Sequence, residues 1–187
     1  DILAKSFDDV INLSLGDPDL NTPQSIIQKA FEDAKAGHTK YTDFRGDPEL
    51  IAEFCRFYQE EYEMQISPAE VFVTSSATVG MHLALEAILD DGDEVILQTP
   101  YFTPYPQQVR LSRGIPVELP TYEEEDFQIN VERLESLISA RTKALVINTP
   151  NNPTGSCLSL QTMHQIAAVV KKYDLIVIAD DIYTDYS

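Results

Sequence analysis

Residues 144–180 read ALVINTPNNPTGSCLSLQTMHQIAAVVKKYDLIVIAD. The runs Ala144 to Ile147 and Leu175 to Ala179 are apolar throughout, which is how strands covered on both faces read. Between them lie a turn rich in Asn, Pro and Gly and a helix over Ser159 to Tyr173. Strand, helix and second buried strand in that order make a βα unit with parallel strands. The alternation continues towards the N-terminus. Val71 to Val73, Glu94 to Leu97 and Pro116 to Leu119 are β-prone, and helices are predicted over Val79 to Leu89, Gln107 to Ser112 and Val131 to Ser139. Five strands alternating with helices predict an α/β three-layer sandwich around a mostly parallel sheet.

Ahead of this region the pattern is helical. Ile26, Ile27, Ala30 and Phe31 form a stripe, with Thr22 as the expected cap and Pro23 in the first turn. Pro48 opens a second helix carrying Leu50, Ile51, Phe54, Phe57 and Tyr58 on one side. Leu13 to Pro23 and His38 to Gly46 read as irregular segments, and the acidic run Glu123 to Asp126 as a solvated loop. No internal repeat is present.

Hydrophobic residues make up 43% of the 187, enough for a buried core. The net charge of −18 argues against nucleic acid and anionic membranes, both of which need clustered Lys and Arg. Cys55 and Cys157 make no disulfide framework, so a reducing, cytoplasmic setting is expected. There is no run of about 18 apolar residues and no signal-like N-terminus. His38, His82 and His164 are scattered, so no metal site is expected. The chain opens on Asp1 and stops at Ser187 just after a dense motif, and is expected to be part of a longer polypeptide.

Ligands of open α/β sheets sit beyond the carboxyl ends of the strands. Four such exits carry unusual residues. Ser76-Ala77-Thr78 ends a strand and opens a helix, so its N–H groups and hydroxyls suit an anion; ordinary capping is the plainer alternative. Phe102 can stack on a planar ring or simply fill core. Asn152, in Asn151-Asn152-Pro153-Thr154-Gly155, offers an amide, though such a run also makes a plain turn. Asp180 is costly to bury at the sheet mouth unless it meets a cation, and Tyr183 lies three residues on; an N-cap and a core tyrosine are the alternatives. An anion cradle, a stacking ring, an amide, a carboxylate and a phenol together suit a phosphorylated pyridine.

The stretches LSLGDPDLNTP, TKYTDFRGDPEL, VTSSATVGMHLAL, DDGDEVILQTPYFTPY, INTPNNPTG and IADDIY resemble fold-type I pyridoxal 5′-phosphate (PLP) enzymes of the aspartate aminotransferase family, the class I/II aminotransferases. The resemblance spans about Ile11 to Tyr183. It implies that Ser76, Ala77 and Thr78 cradle the cofactor phosphate and that Phe102 stacks on the pyridine. Asn152 and Tyr183 would bond the phenolic oxygen, and Asp180 would pair with the ring nitrogen. Tyr41 would reach the phosphate of the neighbouring subunit in a homodimer, and Gly16, with Asn152, would lie against the substrate. Cis peptides are expected before Pro100 and Pro153. Residues 1–45 would belong to a small domain and dimer contacts, and 46–187 to a partial large domain.

The family's Schiff-base lysine lies downstream of the DDIY motif, in an S-x-x-K run. None of Lys5, Lys29, Lys35, Lys40, Lys143, Lys171 and Lys172 sits in such a run. The implied activity of the parent protein is transfer of an amino group between an amino acid and a 2-oxo acid. A PLP-dependent C–S lyase and a non-catalytic effector-binding domain on the same scaffold remain alternatives. Exposed apolar surface is expected where a partner subunit packs.

Overall fold

The computed structural model describes residues 6, 7, 9–11, 16 and 20–187. Lys5 and most of the LSLGDPDLNTP stretch, Gly16 and its last residues excepted, lie outside the described residues. Four strands form one sheet: β1 (Glu94–Thr99), β2 (Ile115–Pro120), β3 (Thr142–Asn148) and β4 (Ile176–Asp180), in the order β2-β1-β3-β4. Every pairing is parallel. Among the described residues six α-helices accompany them: α1 (Gln24–Lys35), α2 (Pro48–Tyr62), α3 (Ala77–Ile88), α4 (Tyr105–Leu111), α5 (Val131–Leu137) and α6 (Leu160–Tyr173). None is long and apolar enough to cross a membrane.

The pleat sorts side chains into two cores. Val95 and Leu97 of β1, with Ala144 and Val146 of β3, pack against Met81 and Leu85 of α3 and Tyr105 and Val109 of α4. Their neighbours Ile96, Leu145 and Ile147 point the other way, onto Leu134 of α5 and Ile166 and Val169 of α6. Strands with period-two side chains and apolar residues at every position bury both faces, which produces the expected three-layer sandwich. Because β1 leads outward to β2 while β3 leads outward to β4, the topological switch point lies between the carboxyl ends of β1 and β3.

Several expectations require correction. Val71 to Val73 is extended but joins no ladder among the described residues; the Val71 N–H donates to the Pro68 carbonyl at 3.4 Å and the Val73 N–H to the Arg45 carbonyl at 2.7 Å. In this chain β4 is less covered than expected: Ile176 is 38% and Val177 39% exposed, and β3 is the neighbour of β4 among the described residues. Thr22 does not cap α1. Pro23 is the N-cap, and its carbonyl accepts from the Ile26 and Ile27 N–H groups. Helix α4 opens two residues before the expected Gln107, with Pro106 in its first turn. Residues 123–125 form a 3-10 turn in which Glu125 pairs with Arg133 at 3.1 Å.

Outside the sandwich, Asp47 caps α2 through its carboxylate, which accepts from Glu49 and Leu50 N–H. The apolar stripes of α1 and α2 are largely uncovered: Ile26, Ile27, Phe31, Leu50, Phe54 and Phe57 are exposed, while Ile51 is buried. Gly46 has φ +127°, and a Cβ there would stand 2.5 Å from a Val73 methyl, so the turn that brings this segment against residue 73 admits only glycine.

Candidate active site

A cleft of about 200 Å³ opens at the switch point. Of the residues singled out from sequence, Ala77, Thr78, Phe102, Asn152, Asp180 and Tyr183 line it. They arrive on the N-terminus of α3 and on the segments that follow β1, β3 and β4. Cis peptides precede Pro100 and Pro153, as expected, and also Pro150.

One end of the cleft is the first turn of α3. Ser76 is its N-cap: Ser76 Oγ accepts from Val79 N–H at 3.2 Å, and the Ser76 carbonyl accepts from Gly80 N–H at 3.0 Å. The N–H groups of Ala77 and Thr78 have no acceptor among the described residues. Free amides at the positive end of a helix favour an anion. The Ser76 hydroxyl caps α3 as an acceptor, and Ala77 and Thr78 are the residues of this turn that line the cleft.

The other end is Asp180. Its Oδ2 accepts from the Tyr105 hydroxyl at 2.6 Å and its Oδ1 from Ile182 N–H at 3.3 Å. No ion pair to Asp180 exists among the described residues. A half-buried carboxylate with only neutral partners is set up to receive a cation. Burial pushes the Tyr105 phenol far above its ordinary value, and the Asp180 carboxylate, as acceptor and as charge, adds to the rise. Tyr105 therefore stays a neutral donor. Next door, burial and then the charge of Asp180 raise the Asp181 carboxyl.

Between the two ends stand an aromatic ring and amides. Phe102 packs edge-on against Tyr105, with centroids 5.6 Å apart. Asn148, opposite Asp180 in the β3–β4 register, is buried. Its Nδ2 donates to the Asp180 carbonyl at 2.8 Å, and its Oδ1 accepts from Asn152 N–H at 2.8 Å. The Asn152 side-chain amide lines the cleft and has no hydrogen bond among the described residues. Gln108 Nε2 donates to the Thr78 carbonyl at 2.7 Å, tying α4 to the anion end.

Two residues stand apart. Tyr41 is wholly exposed and outside the cleft, and Gly16 is exposed with nothing within 4 Å of the position a Cβ would take. Arg45 pairs with Asp43 and lies over the Phe44 ring at 5.7 Å. Tyr105, Asn148, Gln108, Met81 and Ile182 line the cleft without having been singled out from sequence. Tyr105 lay within the PYFTPY stretch but before the expected helix start, and Asn148 read as the first residue of the exit after the Ala144 to Ile147 strand, with no role of its own.

Fold and cleft define an α/β protein with a cleft at the switch point of a parallel sheet, lined by helix N-terminal amides at one end and a carboxylate at the other. The family model for class I and II aminotransferases matches residues 8–187, and the chain belongs to that family. It is 39% identical over 175 residues to an aspartate aminotransferase of Geobacillus stearothermophilus, covering 94% of this chain and 44% of that protein. It is 40% identical to one from Pyrococcus abyssi, covering 98% and 48%. Among solved structures, aspartate aminotransferase from Thermotoga maritima superposes with a TM-score of 0.93 at 37% identity, over 98% of this chain and 49% of that one. An alanine aminotransferase from Pyrococcus furiosus gives 0.92 at 35% identity, over 97% and 47%. The chain spans about half the length of the relatives it matches.

Proposed function

We propose that the protein carrying this chain is a PLP-dependent aminotransferase acting on an amino acid and a 2-oxo acid, and that the cleft holds its cofactor. The observation that carries this reading is the opposition, across one cleft, of free helix N-terminal amides at Ala77 and Thr78 and a cation-seeking carboxylate at Asp180. A phosphorylated, protonated pyridine has both complementary groups on one flat body. When bound, PLP supplies an electron sink for the charge left after an amino acid's α-proton is removed. Asp180 would keep the ring nitrogen protonated, Phe102 would fix the ring plane, and Asn152 and Tyr183 would bond the phenolic oxygen. These are contributions of orientation and fixed electrostatics. No lysine lines the cleft among the described residues.

Residues 46–187 are proposed as part of the large domain and 1–45 as small-domain and dimer contacts. Tyr41 stands free in solvent, as a residue that completes a partner's phosphate site must. The uncovered stripes of α1 and α2 give a homodimer apolar surface to bury. Gly16 is proposed beside the substrate carboxylate, where its open surroundings leave room. Cys55 and Cys157 are both free thiols, which fits a cytoplasmic setting.

The test is turnover by the full-length protein supplied with PLP. Aspartate and 2-oxoglutarate are the first substrates to try, given the relatives' names. Amino transfer without ammonia release supports the reading, and Asp180→Ala should reduce the rate about a hundredfold or more, roughly 2.7 kcal/mol of barrier. Release of pyruvate and ammonia from a sulfur amino acid would replace it with a C–S lyase. Binding of PLP with no turnover of any amino acid would replace it with an effector-binding domain.

A further inference from the structure

We infer that Tyr105 is a positioning residue of this site, holding the Asp180 carboxylate so that its unused lone pairs address the cleft. The inference rests on the cofactor reading above. Tyr105 is 5% exposed and its ring is locked in the core beside Met81 and Val109. Its hydroxyl reaches Asp180 Oδ2 at 2.6 Å, the length of a charge-assisted O–H···O⁻ bond.

A carboxylate offers about four lone-pair sites. Tyr105 and Ile182 N–H occupy one on each oxygen, so each oxygen keeps one for an incoming N–H. The Asp180 backbone is held independently by Asn148 Nδ2. Rotation of the carboxylate would break the Tyr105 bond. Gln108 lies one helical turn further along α4 and grips the Thr78 carbonyl. The same short helix therefore gauges both the carboxylate end and the anion end of the cleft.

The experiment compares two ligands on full-length protein by equilibrium titration: PLP, and its 1-deaza analogue with C–H in place of the ring nitrogen. Tyr105→Phe removes only the hydroxyl. It is expected to weaken PLP about tenfold, equivalent to about 1.4 kcal/mol, and to leave 1-deaza-PLP within twofold. In an Asp180→Asn background the same change is expected to cost PLP less than twofold, since the carboxylate it acts through is gone. Equal weakening of both ligands, or no weakening of PLP, overturns the positioning role. The Asp180→Asn pair reads this even if Tyr105→Phe lowers stability, because a merely structural tyrosine would cost PLP equally in both backgrounds. Failure of the wild-type protein to bind either ligand would instead overturn the cofactor reading itself.

Discussion

Asn148→Ala tests how the exits of β3 and β4 are fixed to one another. The side chain is buried and bonds at both ends, donating to the Asp180 carbonyl and accepting from Asn152 N–H, each at 2.8 Å. Alanine orphans one acceptor and one donor. Each buried orphan costs roughly 1–3 kcal/mol, and water entering from the cleft offsets part of that, leaving an expected loss of about 2–4 kcal/mol. For a chain of this size each kcal/mol lowers the thermal midpoint by about 2–4 °C. The expected drop is therefore roughly 5–15 °C in a scan followed by far-UV circular dichroism. Asn148→Asp should fall further. It keeps the acceptor for Asn152, loses the donor to Asp180, and sets a second carboxylate beside the first. Lys172→Ala serves as the control, since its pair with Glu135 is exposed and worth about 0–1 kcal/mol. A drop for Asn148→Ala no larger than that of Lys172→Ala would refute the reasoning.

Leu145 is fully buried between β3 and the α5–α6 layer, and Leu145→Ala should cost about 3–5 kcal/mol in urea denaturation. Gly46→Ala places a Cβ 2.5 Å from Val73 at positive φ and should destabilise by more than about 2 kcal/mol, measured the same way. Glu94 has its carboxyl held below the ordinary 4.5, chiefly by the Ser139 hydroxyl and then by Thr142 and Arg141, against the opposing effect of burial. A depressed folded value means that its contribution is complete above that ordinary value and is lost as the pH falls through the folded one. Glu94→Gln should therefore flatten the acid limb of a stability-against-pH curve below about 4.5.

What could be read from the sequence follows from how strongly each segment's environment constrains its residues. The strand ALVIN announces itself because it is covered on both faces, and Ala144 to Ile147 are all buried. The equally apolar LIVIA reads the same way, yet Ile176 and Val177 are exposed in this chain, where β4 pairs with β3 alone among the described residues. Val71 to Val73 shows that β-prone residues make a strand only where a partner accepts the ladder. In the cleft, groups that chemistry would recruit were legible at the strand exits: Asp180, Asn152, Phe102 and the small residues opening α3. The residues that orient them were not. Tyr105 and Gln108 share a face of α4 only when the helix starts at Tyr105, and placing that start two residues late hides the pair. Asn148 acts through a cross-strand register that no single segment encodes. Ser76 was legible as a cap, and its hydroxyl accepts from the Val79 N–H.

The most direct measurement is a crystal structure of the protein grown with PLP. The phosphate should lie on the Ala77 and Thr78 amides, with the ring nitrogen within hydrogen-bond reach of the Asp180 carboxylate. A cofactor bound with its nitrogen turned away from Asp180, or at any place other than the carboxyl ends of β1 and β3, would contradict the account.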